Sequence, residues 1–81
     1  MNHSEIILFL KETINEIAFT EVTEDESLFI SKLIDSISFV DLLVAIEEKM
    51  NIKIKQNEVN TENFDTVHQI TTFIENKLNE K

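Results

Sequence analysis

Apolar residues recur at the three- and four-residue spacing of an α-helix in three stretches of this chain. The first stretch predicts a helix over about residues 2–18, with an apolar stripe formed by Ile6, Leu10, Ile14 and Ile17. Asn2 and Glu5 stand three apart at its start, the spacing of a capping box. In the last stretch Thr66 and Gln69 repeat that spacing, before a stripe formed by Val67, Ile70, Phe73, Ile74 and Leu78.

The middle helix is predicted to begin at Asp35 or Ser36 and to end at Lys49 or Met50, and it has two apolar sides. With 100° between successive residues, one side is the expected core stripe: Phe39, Leu42, Leu43, Ile46 and Met50. The other side carries a second apolar group and nearby acids: Ile37, Val40 and Val44, with Asp41, Glu47 and Glu48. This group is either more core or an exposed docking strip, and spacing alone leaves the two equally open.

The connections between the helices are polar. Residues 19–32 are predicted to form a long loop that Leu28 and Phe29 anchor to the core, with a helical turn over residues 24–28 as an alternative. Residues 61–64 are predicted to form a short helical turn. The sequence therefore predicts an all-α, four-helix bundle of three longer amphipathic helices and one short helix, in a single domain over residues 1–81.

Charge narrows the choice of partners. The 81 residues include sixteen acids and seven bases, and the net charge is −9. This charge repels nucleic acids and anionic membranes and favours proteins with basic surfaces. We expect a monomer that binds no nucleic acid and does not insert into membranes. The N-terminal segment resembles neither a signal peptide nor a membrane span, so we expect the cytoplasm.

The residue types also argue against an enzyme. There is no cysteine, and the two histidines, His3 and His68, stand far apart in the sequence without an evident serine or acid partner. With two histidines and no cysteine there is no zinc-binding spacing, and the acidic stretch TEDES lacks the pattern of a calcium loop. We therefore expect neither catalysis nor a metal site.

The Asp35–Ser36 pair has two interpretations. Asp and Ser are both favoured helix N-caps, so from local sequence alone capping is the more common role. A serine at a helix N-terminus also lies beside free backbone N–H groups and the positive end of the helix dipole, which suit an attached phosphate. Asp35 could then support the attachment by helping to hold a cation.

Several motifs together resemble the acyl carrier protein family: DSI at residues 35–37, VDL at 40–42, AIEE at 45–48 and NFDTV at 63–67. The likeness covers nearly the whole chain, including its length, acidity and order of helices. Within the family, LIDSISFVDLL and NFDTVHQI are closer to freestanding carriers of secondary pathways, including aminoacyl and D-alanyl carriers.

The resemblance implies that Ser36 carries 4′-phosphopantetheine, which a phosphopantetheinyl transferase installs from coenzyme A. The arm would hold acyl or aminoacyl groups as thioesters, as in fatty acid or polyketide biosynthesis, with Asp35 supporting the attachment. It implies a contact surface for the transferase and for basic acyl- or aminoacyl-activating and acyl-transferring enzymes: Ile37, Val40, Asp41, Val44, Glu47 and Glu48. The alternatives are a D-alanyl or aminoacyl carrier, or an unmodified acidic helical interaction domain.

Overall fold

The computed structural model describes residues 2–29 and 35–79, and for Ser36 it describes the backbone alone. The elements in these ranges are α1 (His3–Ala18), α2 (Ser36–Met50), a 3₁₀ turn (Gln56–Glu58), α3 (Thr61–Phe64) and α4 (Val67–Asn79). No strand occurs in either range. The predicted all-α bundle of three longer helices and one short helix is confirmed.

Both predicted capping boxes are present. At α1 the Glu5 backbone N–H donates to Asn2 Oδ1 at 2.9 Å, and the Asn2 N–H donates to Glu5 Oε1 at 2.9 Å. Before α4 the Gln69 N–H donates to Thr66 Oγ1 at 3.0 Å, and the Thr66 N–H donates to Gln69 Oε1 at 3.2 Å. Each box satisfies backbone donors that have no partner within the helix, which fixes where the helix begins.

Two helices end on residues in the left-handed conformation. Phe19 follows α1 with φ of 56°, and Asn51 follows α2 with φ of 54°. This conformation is usual for glycine and tolerated by asparagine, but the chain contains no glycine. The absence of glycine therefore leaves a phenylalanine, with its ring almost fully exposed, to terminate α1.

The core lies where α1 packs against α2 and α4, and where α3 packs against α4. The predicted stripes of the three long helices supply most of it: Ile6, Leu10 and Ile14; Phe39, Leu42, Ile46 and Met50; Val67, Ile70, Phe73 and Ile74. Ile17, Leu43 and Leu78 are partly buried at its edge. The prediction that Leu43 belongs to the core stripe is confirmed in part, because Leu43 packs against the core but is only partly buried.

A row of phenylalanine rings joins the loop to the helices. The Phe29 ring centroid is 5.0 Å from that of Phe39 in α2, and the Phe39 centroid is 6.0 Å from that of Phe64 in α3. Phe64 in turn lies 4.9 Å from Phe73 in α4. These contacts connect the segment before α2 to α4 through tilted and edge-to-face packing.

The described part of the long loop, residues 19–29, is held by Asp65. Leu28 is 1% exposed, and its N–H donates to the Asp65 backbone carbonyl at 2.6 Å. The Asp65 Oδ1 accepts from Ser27 Oγ at 2.6 Å and from the Phe29 N–H at 3.1 Å. The predicted anchoring by Leu28 and Phe29 is confirmed, and the alternative helical turn over residues 24–28 is wrong. Residues 30–32 of the predicted loop lie outside the described residues.

The connection between α2 and α3 is tied to α4 by a charged pair. Glu58 accepts from the Lys55 N–H at 2.8 Å and lies 2.9 Å from Lys77 Nζ, with both side chains partly buried. The Lys55 N–H, followed by Lys77, lowers the pKa of Glu58 from its usual value. The pair therefore fixes the 3₁₀ turn against α4.

No helix in the described ranges has the length and apolar character needed to cross a membrane.

Candidate attachment and docking site

Asp35 is the N-cap of α2. Its backbone is extended, with φ of −80° and ψ of 175°, and its Oδ1 accepts from the Ser38 N–H at 2.8 Å. Its carbonyl accepts from the Phe39 N–H at 2.9 Å. Asp35 thus performs the capping that the sequence allowed to either residue of the pair, and Ser36 is the first residue inside the helix.

The charge on Asp35 is stabilised by this arrangement. The Ser38 backbone N–H, followed by the Ser38 side chain and the Ile37 N–H, lowers the pKa of Asp35 from its usual value of 3.8. Asp35 is also exposed. A carboxylate that is ionised near neutral pH and open to solvent therefore stands directly before Ser36, where it is suited to supporting a cation.

The Ser36 side chain lies outside what the structure describes. Its backbone places it at the positive end of a 15-residue helix, where unpaired N–H groups and the helix dipole favour a phosphate. Ile37, the next residue, is 79% exposed, so the start of α2 is not covered by the described parts of the fold. This position fits a phosphodiester. The attachment role of Ser36 stays a prediction.

The second apolar group of α2 is exposed. Ile37, Val40 and Val44 are 79%, 56% and 45% exposed, whereas an additional piece of core would bury them. The core interpretation of these three residues is therefore wrong. We call Ile37, Val40 and Val44 the α2 strip. Its role in binding partners stays a prediction.

The three acids beside the α2 strip are not equivalent. Asp41 and Glu48 are exposed. Glu47 is partly buried, and its Oε2 accepts from the Ile54 N–H at 2.8 Å. Glu47 therefore holds the chain that follows α2, a role that the sequence reading missed. The sequence did contain a signal for this role, because among the three acids Glu47 lies nearest the core stripe around the helix.

The histidines and acids of the described ranges do not form a metal site. His3 Nδ1 lies 3.1 Å from Glu75 Oε2, whereas the His68 backbone N–H donates to the carbonyl of Glu24. In residues 2–29 and 35–79, no group of three or more His, Asp or Glu side chains is arranged to hold a metal ion. The chemistry that remains to be explained is therefore that of the start of α2.

Comparison with known proteins identifies the class. No family profile matches the chain. It is 37% identical over 79 residues to an acyl carrier protein of Acidothermus cellulolyticus, covering 94% of this chain and 92% of the relative. It is 33% identical over 75 residues to a D-alanyl carrier protein of Leuconostoc citreum, covering 85% and 96% of the two chains. A D-alanyl carrier protein of Lactobacillus acidophilus is 36% identical over 56 residues, covering 69% and 71%.

The matches to the acyl carrier protein of Acidothermus cellulolyticus and the D-alanyl carrier protein of Leuconostoc citreum thus cover most of both chains compared. The chain belongs to the carrier protein family that includes acyl carrier proteins and D-alanyl carrier proteins. Its role is accordingly that of a carrier protein, and it is not itself an enzyme.

Proposed function

We propose that this protein carries acyl or aminoacyl groups as thioesters on a 4′-phosphopantetheine arm attached to Ser36. In the attachment reaction the Ser36 hydroxyl attacks the β-phosphate of coenzyme A and loses its proton. A phosphodiester forms, and adenosine 3′,5′-bisphosphate leaves. The arm supplies a terminal thiol, which the chain cannot provide because it contains no cysteine.

The observation that carries this proposal is that Asp35, and not Ser36, caps α2. Capping therefore does not account for a serine at position 36. This arrangement disfavours the alternative of an unmodified interaction domain in which Ser36 serves only as a cap. The membership of the chain in a family of carriers supports the same conclusion.

A phosphopantetheinyl transferase is the first partner in this proposal. Asp35 would help to hold the Mg²⁺ that such a transferase uses, because its carboxylate is exposed and ionised beside the reacting residue. Further partners would be acyl- or aminoacyl-activating and acyl-transferring enzymes with basic docking surfaces. They would meet the α2 strip together with Asp41, Glu48 and the exposed part of Glu47.

The attachment is tested by intact mass after incubation with coenzyme A, Mg²⁺ and a promiscuous transferase. Wild type should gain the mass of one phosphopantetheine unit, and Ser36→Ala should gain none. Ser38→Ala is the matched control, because it removes a neighbouring hydroxyl while the Ser38 N–H can still donate to Asp35. An unmodified wild type, in conditions that convert a known carrier completely, would support the interaction domain instead.

D-Alanine is a second candidate cargo. Two of the relatives described above are named D-alanyl carrier proteins, whereas the third is named an acyl carrier protein. The modified protein should be incubated separately with a D-alanine-activating enzyme and with a fatty-acid-activating enzyme, each with ATP. The thioester mass that appears identifies the cargo class, and loss of that mass in neutral hydroxylamine verifies the thioester.

The proposed docking role of the α2 strip predicts a selective loss of recognition. Val40→Ser should lower kcat/KM for the transferase on the order of tenfold, because an exposed apolar contact is lost without disturbing the core. Asp41→Lys should lower it further at low salt, since a like charge would face a basic partner. Phe19→Ser is the matched control and should leave kcat/KM unchanged, because Phe19 is an exposed apolar residue outside the α2 strip. Equal effects of Val40→Ser and Phe19→Ser would contradict the docking role.

A further inference from the structure

A second apolar surface lies between α1 and α2, on a different side of α2 from the α2 strip. It is a groove of about 500 Å³, with Leu8, Phe9 and Ala45 among its apolar lining residues. Ala45 follows Val44 and so points about 100° away from it around the helix. We call this surface the α1–α2 groove.

The α1–α2 groove keeps an exposed leucine. Leu8 is 58% exposed, because it lies on the side of α1 opposite the buried stripe. Phe9 is partly buried, and Lys49 of α2 places its Nζ 6.0 Å from the centre of the Phe9 ring. The aromatic face in this groove therefore already lies near a cation belonging to the chain itself.

Acids line the α1 side of the groove. Glu5, Glu12 and Glu16 are exposed and contribute to its wall. Glu5 is used in the α1 capping box, whereas no described residue forms an ion pair or hydrogen bond with the carboxylate of Glu12 or Glu16. The three glutamates lie seven and four residues apart, so they follow one face of α1 over about 16 Å.

This combination specifies the occupant. Apolar residues beside a row of acids, of which Glu12 and Glu16 have no described ion pair, complement a helix that presents leucine-like residues flanked by Lys or Arg. A second copy of the chain is a poor fit because each copy carries a net charge of −9. We propose that the α1–α2 groove is a docking site for a basic amphipathic helix of a partner protein, separate from the α2 strip and independent of the Ser36 arm.

The test uses the unmodified full chain and a synthetic helical peptide with lysines at positions i, i+7 and i+11 and leucines between them. Binding is followed by amide chemical shifts at low salt, with a scrambled peptide of the same composition as reference. The helical peptide should shift the signals of Leu8, Phe9, Ala45 and Lys49 more than those of Ile37 and Val40. Ser36→Ala should bind equally well, so failure of the attachment proposal would not affect this result.

Charge variants provide the decisive comparison. Glu12→Gln with Glu16→Gln should weaken binding about fivefold, because two exposed charge pairs are lost. Asp25→Asn with Glu62→Gln removes the same charge from exposed residues outside the groove and should have little effect. Lys49→Gln should strengthen binding about twofold, since it removes a base that lines the groove.

Three results would overturn the proposal. The first is a set of shifts centred on the α2 strip. The second is equal weakening by the two charge-neutralised pairs, which would indicate unspecific attraction to an acidic protein. The third is self-association of the peptide-free chain that Leu8→Ser abolishes, as measured by light scattering, because the groove would then be an interface between copies.

Discussion

At the residue scale, Asp35 links the start of α2 to pH. The pKa of Asp35 is lowered chiefly by the Ser38 N–H, so the folded chain holds this proton less tightly than the unfolded chain. The resulting contribution to stability is complete above the unfolded pKa, about pH 4, and is lost as the pH falls through the folded pKa.

Asp35→Asn is expected to reduce this pH dependence. Asparagine keeps an oxygen acceptor for the Ser38 N–H but does not titrate, so the free energy of unfolding should fall less steeply in acid than in wild type. Urea unfolding between about pH 5 and pH 2 measures the difference. Asp25→Asn is the control for loss of one exposed carboxylate. Parallel stability curves for wild type and Asp35→Asn would contradict the capping account.

Two details of this site at the residue scale could not be predicted from the sequence. The DS pair predicted both the cap and the first helical residue, but two favoured caps in succession left their assignment open. The Ser38 N–H decides it, because its donation to Asp35 is a matter of backbone geometry. Glu47 and Glu48 likewise appear equivalent in sequence, yet Glu47 alone of these two accepts the Ile54 N–H.

At the scale of elements, the loop before α2 depends on Asp65, which lies between α3 and α4. Asp65→Ala should cost about 1–3 kcal/mol in the free energy of unfolding, because the partly buried Ser27 hydroxyl and the Phe29 N–H lose their acceptor. Denaturant unfolding gives the total cost. Amide exchange should show faster opening at Phe29 than in α1, since the loss is local.

Asp65→Asn tests the carboxylate charge of Asp65 separately from its role as a hydrogen-bond acceptor. It retains one side-chain oxygen acceptor and should recover part of the stability lost in Asp65→Ala. If Phe29 exchange is unchanged in Asp65→Ala, the aromatic contact between Phe29 and Phe39 holds the loop without Asp65.

The regular elements were predictable because each carries a strong local pattern. The periodic stripes and the two capping boxes located α1 and α4, and TENF located α3. The connections were not predictable in the same detail. Their conformation depends on partners far away in sequence, such as Ser27 with Asp65 and Glu58 with Lys77. Spacing alone gives no signal for such pairs.

At the scale of the whole molecule, the core is small and each central residue matters. Leu42 is fully buried, whereas its neighbour Leu43 lies at the edge of the core. Leu42→Ala should cost about 2–5 kcal/mol, a large part of the roughly 4–12 kcal/mol expected for a domain of this size. Leu43→Ala should cost clearly less. Thermal and urea unfolding test this pair, and equal costs would contradict the placement of Leu43 at the edge of the core.

The net charge of −9 and the exposed apolar residues are related properties of the whole molecule. Like charge disfavours contact between copies, so apolar residues such as Val40 and Leu8 can remain exposed, and under the proposed function the same acidity would attract basic partners. The sequence alone predicted the acidity, but it could not decide between buried and exposed positions for the α2 strip. That decision required the packing of α1 against α2 and α4.

The most direct measurement of the central claim is to locate the modification on the peptide chain. After reaction with coenzyme A and a transferase, the protein should be digested and its α2 peptides sequenced by tandem mass spectrometry. We expect the phosphopantetheine mass on Ser36 alone, with Ser38 unmodified. A fully unmodified Ser36, or the same mass on another serine, would contradict the proposal that this carrier bears its phosphopantetheine at the start of α2.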